Sequence, residues 1–368
     1  MKHFIRFLFS LLLAIPSVAH ADDTSLKKEL QRLENEFGGH LGVAAKNLQT
    51  GEVISFNGSE RFPTASVIKL PIMTAFFDLV DQQKIDPRMK VVLTADDKKP
   101  GLLKSMSDGM TMTLLDAVNL MIVLSENTAT NLVLDRLASS HEARLNVVNT
   151  FLTQSGLKNT RLLNRLYTAT SKQRTPEAMR YGIGVSTPDD MVLLMEKLHA
   201  KTLASSSSCE AMMEILKRQE YNDMVPRLLP RDECQRFEVA HKTGWINESK
   251  VDVALVMTDR VEYAIAIFID KHPDHSDDLE NRAVMLAAHA SRAVWNHFAG
   301  GSGYAARKVV SSHVDWNTFP GGNWLIYRSR FAPFPHNERA AGLVKKDGSP
   351  PRRLSPFRDG AAIRTGCG

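Results

Sequence analysis

Ser66 and Lys69 stand three residues apart in TASVIKLPIM, residues 64–73. On a helix, positions i and i+3 share a face, so the hydroxyl and the amine can meet. A serine alone is a poor nucleophile and needs a base. A lysine can serve if burial or a neighbouring cation lowers its pKa. With Ser66 at a helix start, the backbone N–H groups there also favour an anion. The apolar run that follows implies a helix entering a core, where a lysine is costly unless something uses it or pairs with it. Alone, Ser-x-x-Lys is a common pattern and usually a solvated pair.

Two further stretches add to it. Ser125-Glu126-Asn127 interrupts the apolar run LMIVLSENTATNLVLDRL. Buried polar groups need partners, so the triplet belongs in a loop or faces a cavity. Ser125 or Asn127 can also cap the helix that follows. Lys242-Thr243-Gly244 ends the strand-like run FEVAHKTG. Lysine supplies a positive charge, threonine a hydroxyl, and glycine lets the backbone approach a ligand closely. The plain alternative is an ordinary strand-end turn.

These residues need a scaffold to bring them together. TSLKKELQRLENEF, from Thr24, has apolar residues at helical intervals. LGVAAKNLQTGEVISFN reads as two strands around Gln49-Thr50-Gly51. Roughly 150 helical residues follow, with Thr-led caps and first-turn acids opening TLLDAVNLMIVLSEN and TPDDMVLLMEKLHAKTL. Strand character returns at 237–244, 250–258 and 262–270, and a final helix is expected over about 277–299. The economical fold is α/β (α+β): one five-stranded antiparallel sheet with strands from both ends of the chain, flanked by helices, and an inserted all-helical domain. The sheet part is placed at about 22–62 and 212–299 and the helical part at about 63–211, with the site in the cleft between them.

The chain has 368 residues, 43% hydrophobic and 24% charged, as expected of a globular protein. Residues 1–21 place Lys2 and Arg6 before an apolar core and Ala19-His20-Ala21 after it. That is a cleaved secretory signal, too short to span a bilayer comfortably, so a periplasmic or secreted protein is expected. No later segment is long and apolar enough to cross a membrane. Net charge is +5, but residues 301–368 carry 11 Lys+Arg and 4 Asp+Glu, and the remaining 300 residues sum to −2. The Gly/Pro/Arg-rich extension 300–368 is expected to be partly disordered and to offer contact with cell wall or a membrane surface. Nothing in the sequence signals nucleic-acid binding, and a monomer is expected. Cys209 and Cys234 can pair in an exported protein or stay as two small free residues. No Cys/His spacing resembles a zinc site.

Taken together and in this order, the three motifs resemble the class A serine β-lactamase family within the β-lactamase and penicillin-binding protein superfamily. The resemblance covers about 22–300; STPDDM is similar to the segment that closes the family's omega loop. It implies no metal or cofactor. It implies that Ser66 is the acylated nucleophile and that Lys69 is its base or holds it in a hydrogen-bond network. Ser125, assisted by Lys242, would relay a proton to the leaving nitrogen. Asn127 would hold the substrate amide and the Lys69 ammonium, while Lys242 and Thr243 would bind the substrate carboxylate. Gly244 would allow close approach, and the N–H groups of Ser66 and Trp245 would form an oxyanion hole. Lys242 would also depress the Lys69 pKa by repulsion. The Trp245 side chain is expected to crowd the cleft.

Two departures stand out. The middle motif is Ser-Glu-Asn rather than Ser-Asp-Asn, so Glu126 carries an extra methylene. The omega-loop glutamate that activates the deacylating water in the family is missing: its position falls near Arg165 or Leu166. Between Glu142 and Asp189 the one carboxylate is Glu177, a candidate deacylation base or an exposed first-turn helix acid. The resemblance thus implies an exported serine hydrolase opening β-lactams. Its rivals are a peptidase acting on D-alanyl-D-alanine ends of peptidoglycan stem peptides and a non-hydrolytic wall-binding or β-lactam-sensing module.

Overall fold

The computed structural model describes residues 23–168 and 175–300. The expected leader, residues 1–21, and the basic extension from 301 onward lie outside the described residues.

Helix α1 (Asp23–Phe37) leads into a hairpin of β1 (His40–Asn47) and β2 (Val53–Phe56). Its turn forms because Asn47 Oδ1 accepts the N–H groups of Gln49 and Thr50, and Gly51 takes the left-handed conformation at φ 79°. The helical part holds α2 (Lys69–Asp81), α3 (Leu114–Val123), α4 (Asn127–Leu137), α5 (His141–Gln154), α6 (Pro176–Tyr181), α7 (Pro188–His199) and α8 (Ser206–Leu216). The chain then returns as β3 (Phe237–Ile246), β4 (Ser249–Thr258) and β5 (Glu262–Asp270) and closes with α9 (Arg282–Phe298).

The sheet order is β2-β1-β5-β4-β3, and every neighbouring pair is antiparallel. Both faces are covered, and every β4 residue is buried. On the inner face Val251, Val253, Leu255 and Phe268 join the core of the helical part. On the outer face Ile265 and Ile267 join Leu26, Leu30 and Trp295 of α1 and α9. Strand β3 lies at the edge, with one side paired to β4 and the end carrying Lys242 packed against the start of α2.

The α/β architecture is the one expected, with some differences in detail. Short strand pairs stitch the helical part: Lys90–Val92 with Thr111–Thr113, and Gly184–Ser186 with both Phe62–Pro63 and Arg161–Leu162. They are too brief to leave a two-residue periodicity in the sequence. The final helix starts at Arg282, because Asn281 Oδ1 caps it by accepting the Ala283 and Val284 N–H groups. Cys209 and Cys234 are both free; one lies in the helical-side core and the other beside the outer-face core, so no disulfide joins them. No helix among the described residues is long and apolar enough to cross a membrane.

Candidate active site

Ser66 lies in a 3₁₀ turn, Ala65–Ile68, that runs directly into α2. Lys69 follows the turn as the first residue of α2, three positions after Ser66. The Lys69 amide donates to Ser66 O. Ala65 takes φ 43°, a conformation L-residues rarely adopt and one that tends to cluster at functional sites. Val67, Ile68 and Leu70 are fully buried and anchor the turn, while Ser66 stays half-buried. Gly244 on β3 lies directly against this turn: a Cβ there would stand 2.7 Å from Thr64 O and 3.1 Å from the backbone nitrogens of Ser66 and Val67. Only glycine lets the strand approach the serine this closely.

Lys69 is completely buried, yet its ammonium is surrounded by acceptors. Its Nζ donates to Asn127 Oδ1 at 2.8 Å, Ser125 O at 2.5 Å and Ser125 Oγ at 3.2 Å. Lys242, equally buried, donates to the same Ser125 Oγ at 3.0 Å and to Thr243 O at 2.7 Å. One hydroxyl therefore bridges two lysines. Burial, reinforced by the charge of Lys242 and opposed by Glu126, pushes the Lys69 amine well below the usual lysine range. Burial brings Lys242 down to about 7, with Asp252 acting the other way.

The second motif fills the break between α3 and α4. Ser125 takes φ 54°, which turns its side chain out of the helical run. The cap of α4 is Glu126 rather than Ser125 or Asn127: its carboxylate accepts Ala129 N–H at 2.8 Å and also Leu103 N–H at 3.2 Å. The extra methylene is accommodated because Gly101 has no Cβ; one placed there would fall 2.3 Å from Glu126 Oε1. Asn127 is fixed by donating Nδ2–H to Pro100 O at 2.7 Å, which leaves Oδ1 to Lys69.

On the omega-loop side, Leu166 is buried and its main chain is held by Asn131 of α4. Arg165 points away into an ion pair with Asp135 at 2.7 Å, and Asp135 also meets Arg144 at 2.9 Å. Glu177 sits in the first turn of α6, bound by Arg61 and, at 3.5 Å, by Arg161. Its hydrogen bonds go to those arginines and not to Ser66, Lys69, Ser125 or Asn127. Asn131 escaped the sequence reading, although a polar residue four positions after Asn127 shares its helix face, and that was a usable signal.

Thr243 is buried on β3 directly across from Asp252. The Trp245 indole packs beside the outer-face core, with the Lys250 ammonium 4.4 Å from its ring centre. The side chain therefore leans away from the helical side of the site and does not crowd it as expected. The alternation of the strand sends residue 245 to the face opposite Lys242.

A half-buried hydroxyl, a buried amine and a hydroxyl shared between two lysines are the equipment of acyl transfer to serine. Fold and site together define the class A serine β-lactamase and penicillin-binding protein superfamily. Within it the chain belongs to the β-lactamase enzyme family, whose model matches residues 25–298. It is 26% identical over 285 residues to β-lactamase BRO-1 of Moraxella catarrhalis, covering 73% of this chain and 83% of that one. Among solved structures it is similar to a β-lactamase from Sphaerobacter thermophilus, with TM-score 0.65, 28% identity and coverage of 75% and 97%. It is also similar to a leucine-to-glutamate mutant of PBP-A, solved as an acyl-enzyme complex with penicillin G, with TM-score 0.64, 26% identity and coverage of 76% and 97%.

Proposed function

We propose that this protein is an exported active-site serine hydrolase of the class A type that opens β-lactam amides through an acyl-enzyme on Ser66 and releases the product slowly. Neutral Lys69 takes the Ser66 hydroxyl proton as Ser66 Oγ bonds to the lactam carbonyl carbon. The Ser66 and Trp245 N–H groups receive the developing oxyanion. The C–N bond breaks, and the ring nitrogen takes a proton through Ser125, which Lys242 supports. Asn127 holds the acyl-side amide, and Lys242 with Thr243 holds the carboxylate. The observation that carries this reading is the sharing of Ser125 Oγ between the Nζ atoms of Lys69 and Lys242.

Slow release is supported by the apolar Leu166 on the omega loop and by the two arginines that occupy Glu177. The same observation favours a second reading, a penicillin-binding peptidase that acts on D-alanyl-D-alanine ends. A fluorescent-penicillin time course followed on a denaturing gel tests both. A label that forms within minutes and persists for hours is expected, and Ser66→Ala removes it. Fast turnover of nitrocefin would replace slow release with ordinary hydrolysis. Absence of label would leave a non-catalytic module. Cleavage of muropeptides by the wild type and not by Ser66→Ala would favour the peptidase.

A further inference from the structure

Three polar side chains stand one turn apart along one face of α4: Asn127, Asn131 and Asp135. The first holds Lys69 at 2.8 Å, and the second holds the Leu166 main chain. The third has no part in the chemistry above. Asp135 receives Arg165 of the omega loop at 2.7 Å through Oδ2 and Arg144 of α5 at 2.9 Å through Oδ1. All three of these side chains are less than one-fifth exposed. One carboxylate thus stands between two guanidinium groups that would otherwise repel each other.

The two arginines are not equally free. Arg144 also donates Nε–H to Ala138 O at 2.8 Å and Nη2–H to Ser139 O at 3.3 Å, which ties it to the turn between α4 and α5. Arg165 has Asp135 as its one partner among the described residues, and its Nε is buried without an acceptor. Taking the carboxylate away would therefore displace the loop and not the helices. Next in the loop comes Leu166, 2% exposed yet in none of the apolar cores, so its burial depends on how the loop is held. Upstream the holds are farther off: Asn149 on the Leu162 main chain and Ile183 O on the Leu163 N–H.

We propose that Asp135 is a positioning residue that holds the omega loop shut, so that buried Leu166 keeps water from the acyl group on Ser66. This rests on the slow acyl-enzyme release given above. In that release water gives its OH to the acyl carbon, the ester C–O bond breaks, and the second proton goes to Ser66 Oγ. Leu166 offers that water neither a base nor a hydrogen bond. Asn131 pins the Leu166 main chain and Asp135 the side chain before it, so two adjacent loop residues are fixed to one helix face. The rate of release then follows how often the loop opens, and Asp135 sets that.

The test compares full-length wild type, Asp135→Asn, Arg165→Ala and the double variant, each pulsed with fluorescent penicillin. Label decay is expected to quicken by roughly tenfold or more in Asp135→Asn, the scale of breaking a partly buried ion pair. Arg165→Ala should quicken it too, and the double variant should decay no faster than Asp135→Asn, because both changes break one contact. Second-order acylation rates should stay as in the wild type. Unchanged decay in a folded variant overturns the proposal, as does a double variant in which the two effects multiply. A merely structural role would lower acylation along with any change in decay, and that result also overturns it. If a thermal melt shows that Asp135→Asn does not fold, Arg165→Ala decides by its decay alone. Should the wild type take no label, the functional reading fails, and amide exchange at Leu166 still decides this one: faster exchange in Asp135→Asn supports the held loop, and unchanged exchange overturns it.

Discussion

Asn131 grips the main chain of Leu166 on both sides, donating Nδ2–H to its carbonyl at 2.8 Å and accepting its N–H at Oδ1 at 3.1 Å. Helix α4 thereby supplies Asn127 to the lysine network and, one turn later, fixes the omega-loop residue in place. The residue so carefully held is apolar.

Leu166→Glu should put a carboxylate where a deacylating water needs a base. General-base help of this kind is worth roughly 10²–10⁴-fold, so release of penicillin from Ser66 should quicken by at least the lower figure. Label decay after a brief pulse measures it. Unchanged decay in a folded variant would remove the loop from the account of slow release. Glu177→Gln, by contrast, should leave the decay as it is, because that side chain is tied to Arg61 and Arg161.

Gly244→Ala should disable acylation without unfolding the domain. The new methyl group would meet Thr64 O and the Ser66 nitrogen, both main-chain atoms that cannot swing aside. Strand and nucleophile turn would have to separate, and a misplacement near 1 Å costs roughly 10²-fold. Second-order acylation rates for the two proteins provide the comparison, and a rate within a factor of about two would contradict the close approach.

Acylation should be bell-shaped in pH. Lys69 must be neutral to accept the Ser66 proton, and Lys242 must be charged to hold a carboxylate. Burial, with Lys242 adding to it, keeps Lys69 well below the ordinary range, so the acid limb belongs to Lys69. Burial brings Lys242 to about 7, so the alkaline limb begins near neutrality. A rate still climbing through about pH 9 would exclude Lys242 as the carboxylate ligand.

Stability should decline on mild acidification. His272 is buried and uses both ring nitrogens, one on Phe37 O at 3.1 Å and the other accepting Asp274 N–H at 3.0 Å. Protonation would forfeit the second bond. Burial holds its pKa below the ordinary histidine value of 6.5, so the unfolded chain binds the proton more readily than the folded one. The stabilisation is complete above 6.5 and is lost as pH falls from there through the folded-state value. His272→Gln can reproduce both hydrogen bonds without titrating, so its melting temperature should fall less between about pH 7.5 and 5.5 than that of the wild type.

Much of this is legible in the sequence. The β5 boundaries, 262–270, could be read directly, because a β-branched apolar run between polar breaks has few other interpretations. The hairpin at Gln49-Thr50-Gly51 and the caps at Thr113 and Thr187 were equally plain. The resemblance to the class A family singled out Lys69, Ser125 and Lys242 together, and hydrogen bonds join those three. What spacing does not carry is partnership across the fold. Nothing in the linear order says that Glu126 caps α4 while reaching Leu103, that Asn131 holds Leu166, or that His241 finds Asp252. The Trp245 side chain departs from expectation because proximity to a motif does not set orientation, and a strand reverses orientation at every residue.

The sheet has one more consequence. Its long inner seam joins β1 to β5, with His40 opposite Asp270 and Asn47 opposite Tyr263. The first strand synthesised thus waits, unpaired along that edge, until nearly the whole domain exists. Wiring of this sort makes for slow assembly, because a large loop must close before the seam returns any energy. A ribosome-bound chain cut short before β5 has no way to complete its sheet, and it should remain a substrate for chaperones and proteases rather than a partial enzyme.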